Sequence, residues 1–492
     1  MLMRYSKLSD HLFKKGKFIT PMNSFPLMQE LNDEKSWSYG RLPEYLWIGL
    51  VLKYYGRKEG LLMIHDIISV LHTLAPDLYT ARMSQILKLD INIQKKFYKH
   101  IVDIGAQKAL SPLTIILTSS QFPIFAEYFY VPGKSIDNRC EVIIKTMSDI
   151  MDNQSNEATD IRFVAFYFYQ LSGKICIHKE QADLLMAYPI YNHTDEIMLL
   201  ARPTVRSLEL MVLTFEKTDP GYLKHFWRCV SEMTECSAFA IDFPKEERSI
   251  TKYMENLYDI FSYLSELFVS SNPLDEKMNV LLGIATYSYK RFLEIYNCQM
   301  FNSISGRGCV RALIEDYIMM KYLVKNESSH NNIWHEYQLY GIGAYKLVLA
   351  RYRESNQKKS PFDAKYIEAL VNEFKYEEFI DMDTKYFDNQ NIRLKAESVG
   401  EKDLWALYYD YYSSFEHGLW GAIRESSLLK CNNPTHQFHC IPDIDDKSRL
   451  KTVLPDCVMV MNKTISLLNE IYGIPEKIFD EVINFEIKSV VE

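Results

Sequence analysis

Glycine and proline are scarce in this chain, 18 and 17 residues in 492. So few breakers leave room for long periodic stretches, which favours helices over a strand-and-turn protein. The glycines present make no phosphate cradle. Neither G-x4-G-K-[ST] nor G-x-G-x-x-G occurs, which excludes the two common nucleotide loops. Gly306-Arg307-Gly308 reads only as a short turn ahead of a helix. Long apolar runs are missing as well. Stretches such as Leu46 to Leu52 and Phe163 to Phe168 fall far short of the ~18–20 residues that span a bilayer. No signal peptide opens the chain, and its nine cysteines are irregularly spaced. Together these point to reduced thiols in a soluble, cytoplasmic protein without a membrane partner.

An excess of positive charge is also absent. At a net charge of -8 the whole protein is no general polyanion binder, so any contact with nucleic acid must rest on local patches. Two such patches stand out, Lys14-Lys15-Gly16-Lys17 and Arg351-Tyr352-Arg353 with Lys358-Lys359, while acidic residues dominate from 368 to 388. Charge runs of this size are usually solvated faces. The acidic string Asp381, Asp383 and Asp388 misses the spacing of a calcium loop. Ser/His/Asp catalysis has no supporting motif either, since there is no G-x-S-x-G and Ser413 falls inside a helix rather than at a strand–helix elbow.

What is abundant is apolar and aromatic. Apolar residues make up 47%, with 34 tyrosines and 26 phenylalanines, enough for a sizeable core. A chain of this length outgrows one core, so two domains are expected. Residues 236–248 (CSAFAIDFPKEER) combine a proline, an apolar patch without period and a charge cluster. They place the boundary near 243, between a helical domain at 1–242 and a helical bundle at 243–492. The predicted fold class is therefore all-α. Residues 1–40 read as a loosely patterned basic arm with a short helix near 26–31. Helices follow from Pro43, and a polar linker is expected at 152–160. The apolar run 161–171 suits either a buried strand or a buried helix, and is assigned as helix because no partner strand is evident.

The chemistry concentrates in residues 405–442, WALYYDYYSSFEHGLWGAIRESSLLKCNNPTHQFHCIP. As one helix, Leu404, Tyr408, Tyr411, Phe415, Leu419 and Ala422 form an apolar stripe. Tyr409, Ser413, His417, Trp420 and Arg424 form a second, polar line. Gly418 in mid-helix implies a bend or the close approach of another backbone. Upstream, Arg311 and Glu315 pair at i,i+4, off the stripe of Val310, Leu313, Ile314, Tyr317, Met320 and Val324. Metal-independent RNA cleavage needs a base, a proton donor and a cation. Histidine suits the first two tasks, and an arginine oriented by a carboxylate suits the third. The plainer interpretation is an ion pair worth ~0.3–0.5 kcal/mol and a histidine bonded to a neighbouring helix. Cys431, His436, His439 and Cys440 invite a zinc site. Against it, Asn433-Pro434 makes a turn there and no C-x2-C partner exists. No metal and no cofactor are therefore expected, and His436 and His439 either lie beside His417 in one cleft or simply satisfy loop carbonyls.

These residues also carry a resemblance. Tyr409-x3-Ser413-x3-His417-Gly418-x-Trp420, then Arg424, then Cys431-x-Asn433-Pro434-x-His436-x2-His439-x-Ile441-Pro442, with Arg311-x3-Glu315 upstream, resembles a bacterial helical family known only as a domain of unknown function. The resemblance spans roughly 280–470. The layout of that family is in turn similar to HEPN domains (higher eukaryotes and prokaryotes nucleotide-binding), many of which are RNases of prokaryotic immunity and toxin systems. HEPN RNases carry Arg and then His along one helix. Here the order is reversed, and the literal match from Arg4 to His11 lies outside the family-like region. The resemblance implies a defence or toxin-type effector that cleaves or binds RNA in a cleft of Arg311, Glu315, His417, Arg424, His436 and His439. The N-terminal domain would then sense a signal or bind a protein partner, with oligomers compatible. The alternative is a non-enzymatic helical protein that mediates interactions or binds a nucleotide.

Overall fold

A computed structural model describes residues 7–21, 37–173, 175, 177–212, 219–243, 250–355, 363–437, 439–445, 447 and 449–486. Helix makes up 69% of the structure, about twice the ~30–35% of an ordinary globular protein, and the fold is all-α. Strand among the described residues is confined to short pieces. β1 (Leu12–Lys14) and β2 (Lys17–Ile19) form a hairpin whose turn residues Lys15 and Gly16 both have positive φ, the backbone that a two-residue hairpin requires. The basic run near the start is thus a hairpin tip. The short helix expected near 26–31 lies outside the described residues. No helix among the described residues is long and apolar enough to cross a membrane.

The chain forms two compact units, Met1–Phe239 with Lys430–His439, and Ala240–Leu429 with Cys440–Glu492. The first unit is therefore discontinuous, because a short segment from far downstream belongs to it.

At the centre of the first unit is α1 (Leu42–Tyr55), which has a proline in its first turn and is buried at every residue from Leu42 to Val51. Such a helix needs neighbours all round. It finds them in α2 (Arg57–Leu74), α3 (Ile136–Ile150) and α4 (Asn156–Leu171). Gly49 permits the approach of α3 and α4, since a Cβ there would lie 3.2–3.4 Å from Thr146, Ile150 and Ile161. The ambiguous run 161–171 is the buried body of α4. Of the polar linker expected at 152–160, residues 152–155 form a turn and 156–160 are the start of this helix. Ser155 caps it by accepting from the Ala158 amide at 3.0 Å, and Ala158, Thr159 and Asp160 are buried. The polar residues that suggested a linker serve inside the unit. Asp160 accepts from Arg57 and Tyr188, and Arg162 donates to Glu209 of α5 (Met198–Val212) at 2.7 Å. The last long helix of this unit is α6 (Pro220–Glu232), capped by Asp219.

In the second unit α7 (Glu276–Asn297) and α8 (Ile304–Asn326) pack side by side, capped by Asp275 and Ser303. Gly306-Arg307-Gly308 lies within the first turns of α8 rather than ahead of it. A Cβ at Gly306 would collide with the Met300 carbonyl, and Arg307 is buried under the Phe415 ring. As its periodicity predicts, α8 buries Val310, Leu313, Ile314, Tyr317 and Met320.

The stretch after Leu404 departs from the single helix expected. It opens with a π-helical turn, Leu404–Tyr409, continues as α9 (Asp410–Glu416), breaks at His417-Gly418 and resumes as α10 (Trp420–Ser426). Gly418 has φ +57° and open space around it, so it makes a bend and not a close contact. A π turn spaces its bonds at i→i+5 and shifts the 3.6-residue phase. Accordingly Tyr409 and Tyr412 are buried, whereas Tyr411 and Leu419 of the expected apolar stripe are exposed. α11 (Leu454–Tyr472), which a shorter helix at Glu476–Ile483 follows, packs on α8, where Lys463 of α11 and Tyr317 and Lys321 of α8 share Glu401.

Candidate functional site

The face of α8 that carries Gly308, Arg311 and Glu315 lies against Tyr409, Ser413 and Glu416. The Glu416 side chain reaches over Gly308, where a Cβ would meet its carboxylate. Beside it Arg311 is held on three sides. Its Nε donates to Ser413 Oγ at 3.1 Å and its Nη2 to the Tyr409 hydroxyl at 2.7 Å. Nη2 also lies 3.3 Å from Glu315 Oε2, and the guanidinium covers the Tyr409 ring at 4.8 Å from the centroid. The Tyr409 hydroxyl in turn donates to Glu315 Oε2 at 3.2 Å, and the Tyr386 hydroxyl to Glu315 Oε1 at 2.7 Å. The network fixes the guanidinium without enclosing it. Arg311 and Glu315 keep about a quarter of their side-chain surface, and Arg311 Nη1 takes no partner among the described residues and is not buried.

Titration in this cluster is shifted by burial first and by Glu315 next. Tyr409 is pushed up to about 12 by burial and by Glu315. Tyr386 is raised further for the same two reasons. Behind them Asp316, which accepts from Ser288 Oγ at 2.8 Å, is pushed up to about 7, chiefly by burial and with Glu315 adding to it. A carboxyl that titrates near neutrality thus sits next to the Arg311–Glu315 pair. Sequence spacing singled out neither Asp316 nor Tyr386. The burial of Asp316 comes from packing against α7, and Tyr386 arrives from a loop far along the chain.

The remaining expected site residues separate. His417 is the last residue before the break, and its amide donates to the Ser413 carbonyl at 3.0 Å. Its ring is exposed and takes no hydrogen bond among the described residues. Ser413 therefore links both groups, holding Arg311 through its hydroxyl and the His417 backbone through its carbonyl. Arg424 lies beyond the bend on α10, where Nη1 donates to Cys440 Sγ at 2.8 Å, so it does not continue the Tyr409–Ser413 line. His436 and His439 fall outside the second unit. They belong to the first unit, with Cys431 and with Cys236, a residue that the sequence reading left out. Asp388, from the acidic string, accepts from the Tyr322 hydroxyl. The second basic patch is partly neutralised, since Arg353 pairs with Glu368 and Glu377; Lys358 and Lys359 lie outside the described residues.

Residues 278–436 match a family of unknown function, DUF5677. The match starts in α7, takes in Arg311, Glu315 and His417, and ends at His436, short of His439, Ile441 and Pro442. No curated protein and no solved structure matches the chain.

Proposed function

We propose that the second unit binds RNA through the seam between α8 and α9, with Arg311 as the phosphate anchor, as a HEPN-like bundle of a prokaryotic defence or toxin-type effector would. The observation that carries this is the state of Arg311. Glu315, Tyr409 and Ser413 have already fixed its orientation, and one edge of its guanidinium is open to a ligand. The free Nη1 can donate to a phosphate oxygen, and a guanidinium already held by its other nitrogens loses little side-chain freedom on binding. Exposed aromatics lie along the same stretch, Tyr411 at 42% and Trp420 at 69% of full exposure. Single-stranded RNA is recognised largely by bases stacking on such rings. The unit would bind a single strand by one charged anchor and stacking, which suits a protein whose net charge is negative.

A second reading, cleavage, is favoured by one specific feature. His417 is exposed, its ring has no partner among the described residues, and it lies four residues after the serine that holds Arg311. A general base there would remove the proton of a ribose 2′-OH, whose oxygen then attacks the adjacent phosphorus. The 5′-oxygen leaves with a proton from an acid, and Arg311 offsets the developing negative charge.

The test is fluorescence anisotropy of a labelled single-stranded RNA with the full-length protein across a salt series. Arg311→Gln is expected to weaken binding about tenfold and to lower the salt slope by about 0.7, the value for one phosphate contact on a single strand. Unchanged affinity in a folded Arg311→Gln protein contradicts the proposal. Gel analysis of the same RNA decides the second reading. Cleavage that vanishes in His417→Ala while binding persists supports it, and intact RNA with the wild-type protein rules it out.

A further inference from the structure

We infer that the first unit carries a closed zinc site made of Cys236, Cys431, His436 and His439. One donor atom from each of these four side chains lies within 4.8 Å of all the others. Cys236 Sγ is 3.1 Å from His439 Nε2, and Cys431 Sγ is 3.7 Å from His436 Nδ1. Zinc bonds of ~2.3 Å to sulfur and ~2.0–2.1 Å to nitrogen, arranged tetrahedrally, place donors roughly 3.3–3.8 Å apart. The cluster therefore already has about the right size.

The local chain explains how four donors converge. β3 (Ala238–Phe239) pairs antiparallel with β4 (Leu428–Cys431), with Ala238 opposite Cys431. This register carries Cys236, two residues before β3, to the end of β4. After Cys431 the chain turns sharply. Asn433 caps the short turn Pro434–His436, accepting from the Thr435 amide at 3.0 Å and its hydroxyl at 2.7 Å. Gln437 then adopts φ +55°, and the His439 carbonyl returns to accept from the Cys431 amide at 3.1 Å. The two imidazoles end edge to face, 5.3 Å between centroids.

A second observation points to a metal. His436 Nε2 faces the Thr234 carbonyl at 3.0 Å, the Ser231 carbonyl at 3.2 Å and the Thr234 hydroxyl at 3.2 Å. Carbonyl oxygens only accept, so the ring proton belongs on Nε2 and the Nδ1 lone pair is directed towards Cys431. Metal-bound histidines are held in this manner, with the other nitrogen donating to a carbonyl that fixes tautomer and ring plane. The Asn433 amide donates to the Thr234 hydroxyl at 2.7 Å and so braces that support.

Two thiolates and two imidazoles in a tetrahedron select zinc among the common ions. Four protein donors leave no open position, so the metal would be structural. It would join residues 203 positions apart in sequence and tether the downstream segment within the first unit, adding to the stability of a unit whose large helical core does not include the four donors. The zinc reading from sequence had looked to Cys440, but that thiol faces Arg424. The true fourth donor lies far upstream and is invisible to local spacing.

The experiment measures metal in full-length protein purified without chelators, by plasma mass spectrometry and by intact mass under native conditions. One zinc per chain is expected. Cys236→Ser should weaken zinc binding at least ~100-fold and Cys440→Ser should leave it unchanged. Cobalt added to metal-stripped wild-type protein should give the visible absorption of a tetrahedral thiolate complex, and Cys236→Ser should not. Because Cys236 is exposed, its serine variant is expected to fold. Three outcomes would overturn the site: no binding of added zinc or cobalt by folded protein with free thiols, a Cys236–Cys431 disulfide in place of metal, or zinc lost with Cys440→Ser and kept with Cys236→Ser.

Discussion

At the scale of single residues, the i,i+4 spacing of Arg311 and Glu315 was legible, and so was their place off the apolar stripe of α8. Their partners were not. A hydroxyl from Tyr386 and the burial of Asp316 depend on which elements pack together, and no local pattern encodes that. Asp316 supplies a test of this packing. Burial raises its carboxyl to about 7 from an ordinary value of 3.8. Below 3.8 the group is protonated in both folded and unfolded chains and pH has no effect through it. Between 3.8 and about 7 the folded protein holds a proton that the unfolded chain has released, so stability falls as pH rises, and above 7 the loss is complete. Asp316→Asn mimics the protonated acid and can still accept from Ser288. Its melting temperature is therefore expected to match the wild type at pH 4 and to exceed it increasingly up to pH 8. Differential scanning fluorimetry across that range checks this, and a constant difference would show that Asp316 is not desolvated.

At the scale of elements, composition and periodicity were enough to identify an all-α chain and the buried helix at 161–171, since few breakers and long apolar periods leave little alternative. Interruptions were harder to read. The π turn at Leu404–Tyr409 obeys no simple period, and it moved Tyr411 to the surface and Tyr412 to the core. β3 is only two residues long, too short for any alternation to show, although its pairing positions Cys236. Gly418 and Gly421 separate these effects. Gly418 occupies left-handed backbone, where a Cβ is strained, whereas Gly421 lies within α10 with open space around it. Gly418→Ala is expected to cost about 1 kcal/mol, or ~2–4 °C in Tm for a unit of this size. Gly421→Ala should raise Tm slightly through helix propensity. Equal shifts of the same sign would mean that α9 and α10 are one continuous helix.

At the scale of the whole molecule, sequence length called for two domains and the shift in pattern placed a boundary near 243, whereas the compact units divide between Phe239 and Ala240. The pattern gave no hint that residues 430–439 return to the first unit. That return is a matter of topology, and it assigns His436 and His439, so close in sequence to His417, to the other unit. The chain thus presents two separate chemistries, a thiol–imidazole centre in one unit and an anchored arginine with exposed aromatics in the other. Photo-crosslinking most directly tests the claim that the second is the RNA-binding surface. Full-length protein would be irradiated with 4-thiouridine-containing single-stranded RNA and the adducts mapped by mass spectrometry. Adducts on peptides spanning Trp405 to Arg424, with Tyr411 and Trp420 prominent and their yield reduced by Arg311→Gln, are the predicted result. Adducts confined to the first unit, such as the hairpin at Lys14–Lys17, would contradict it.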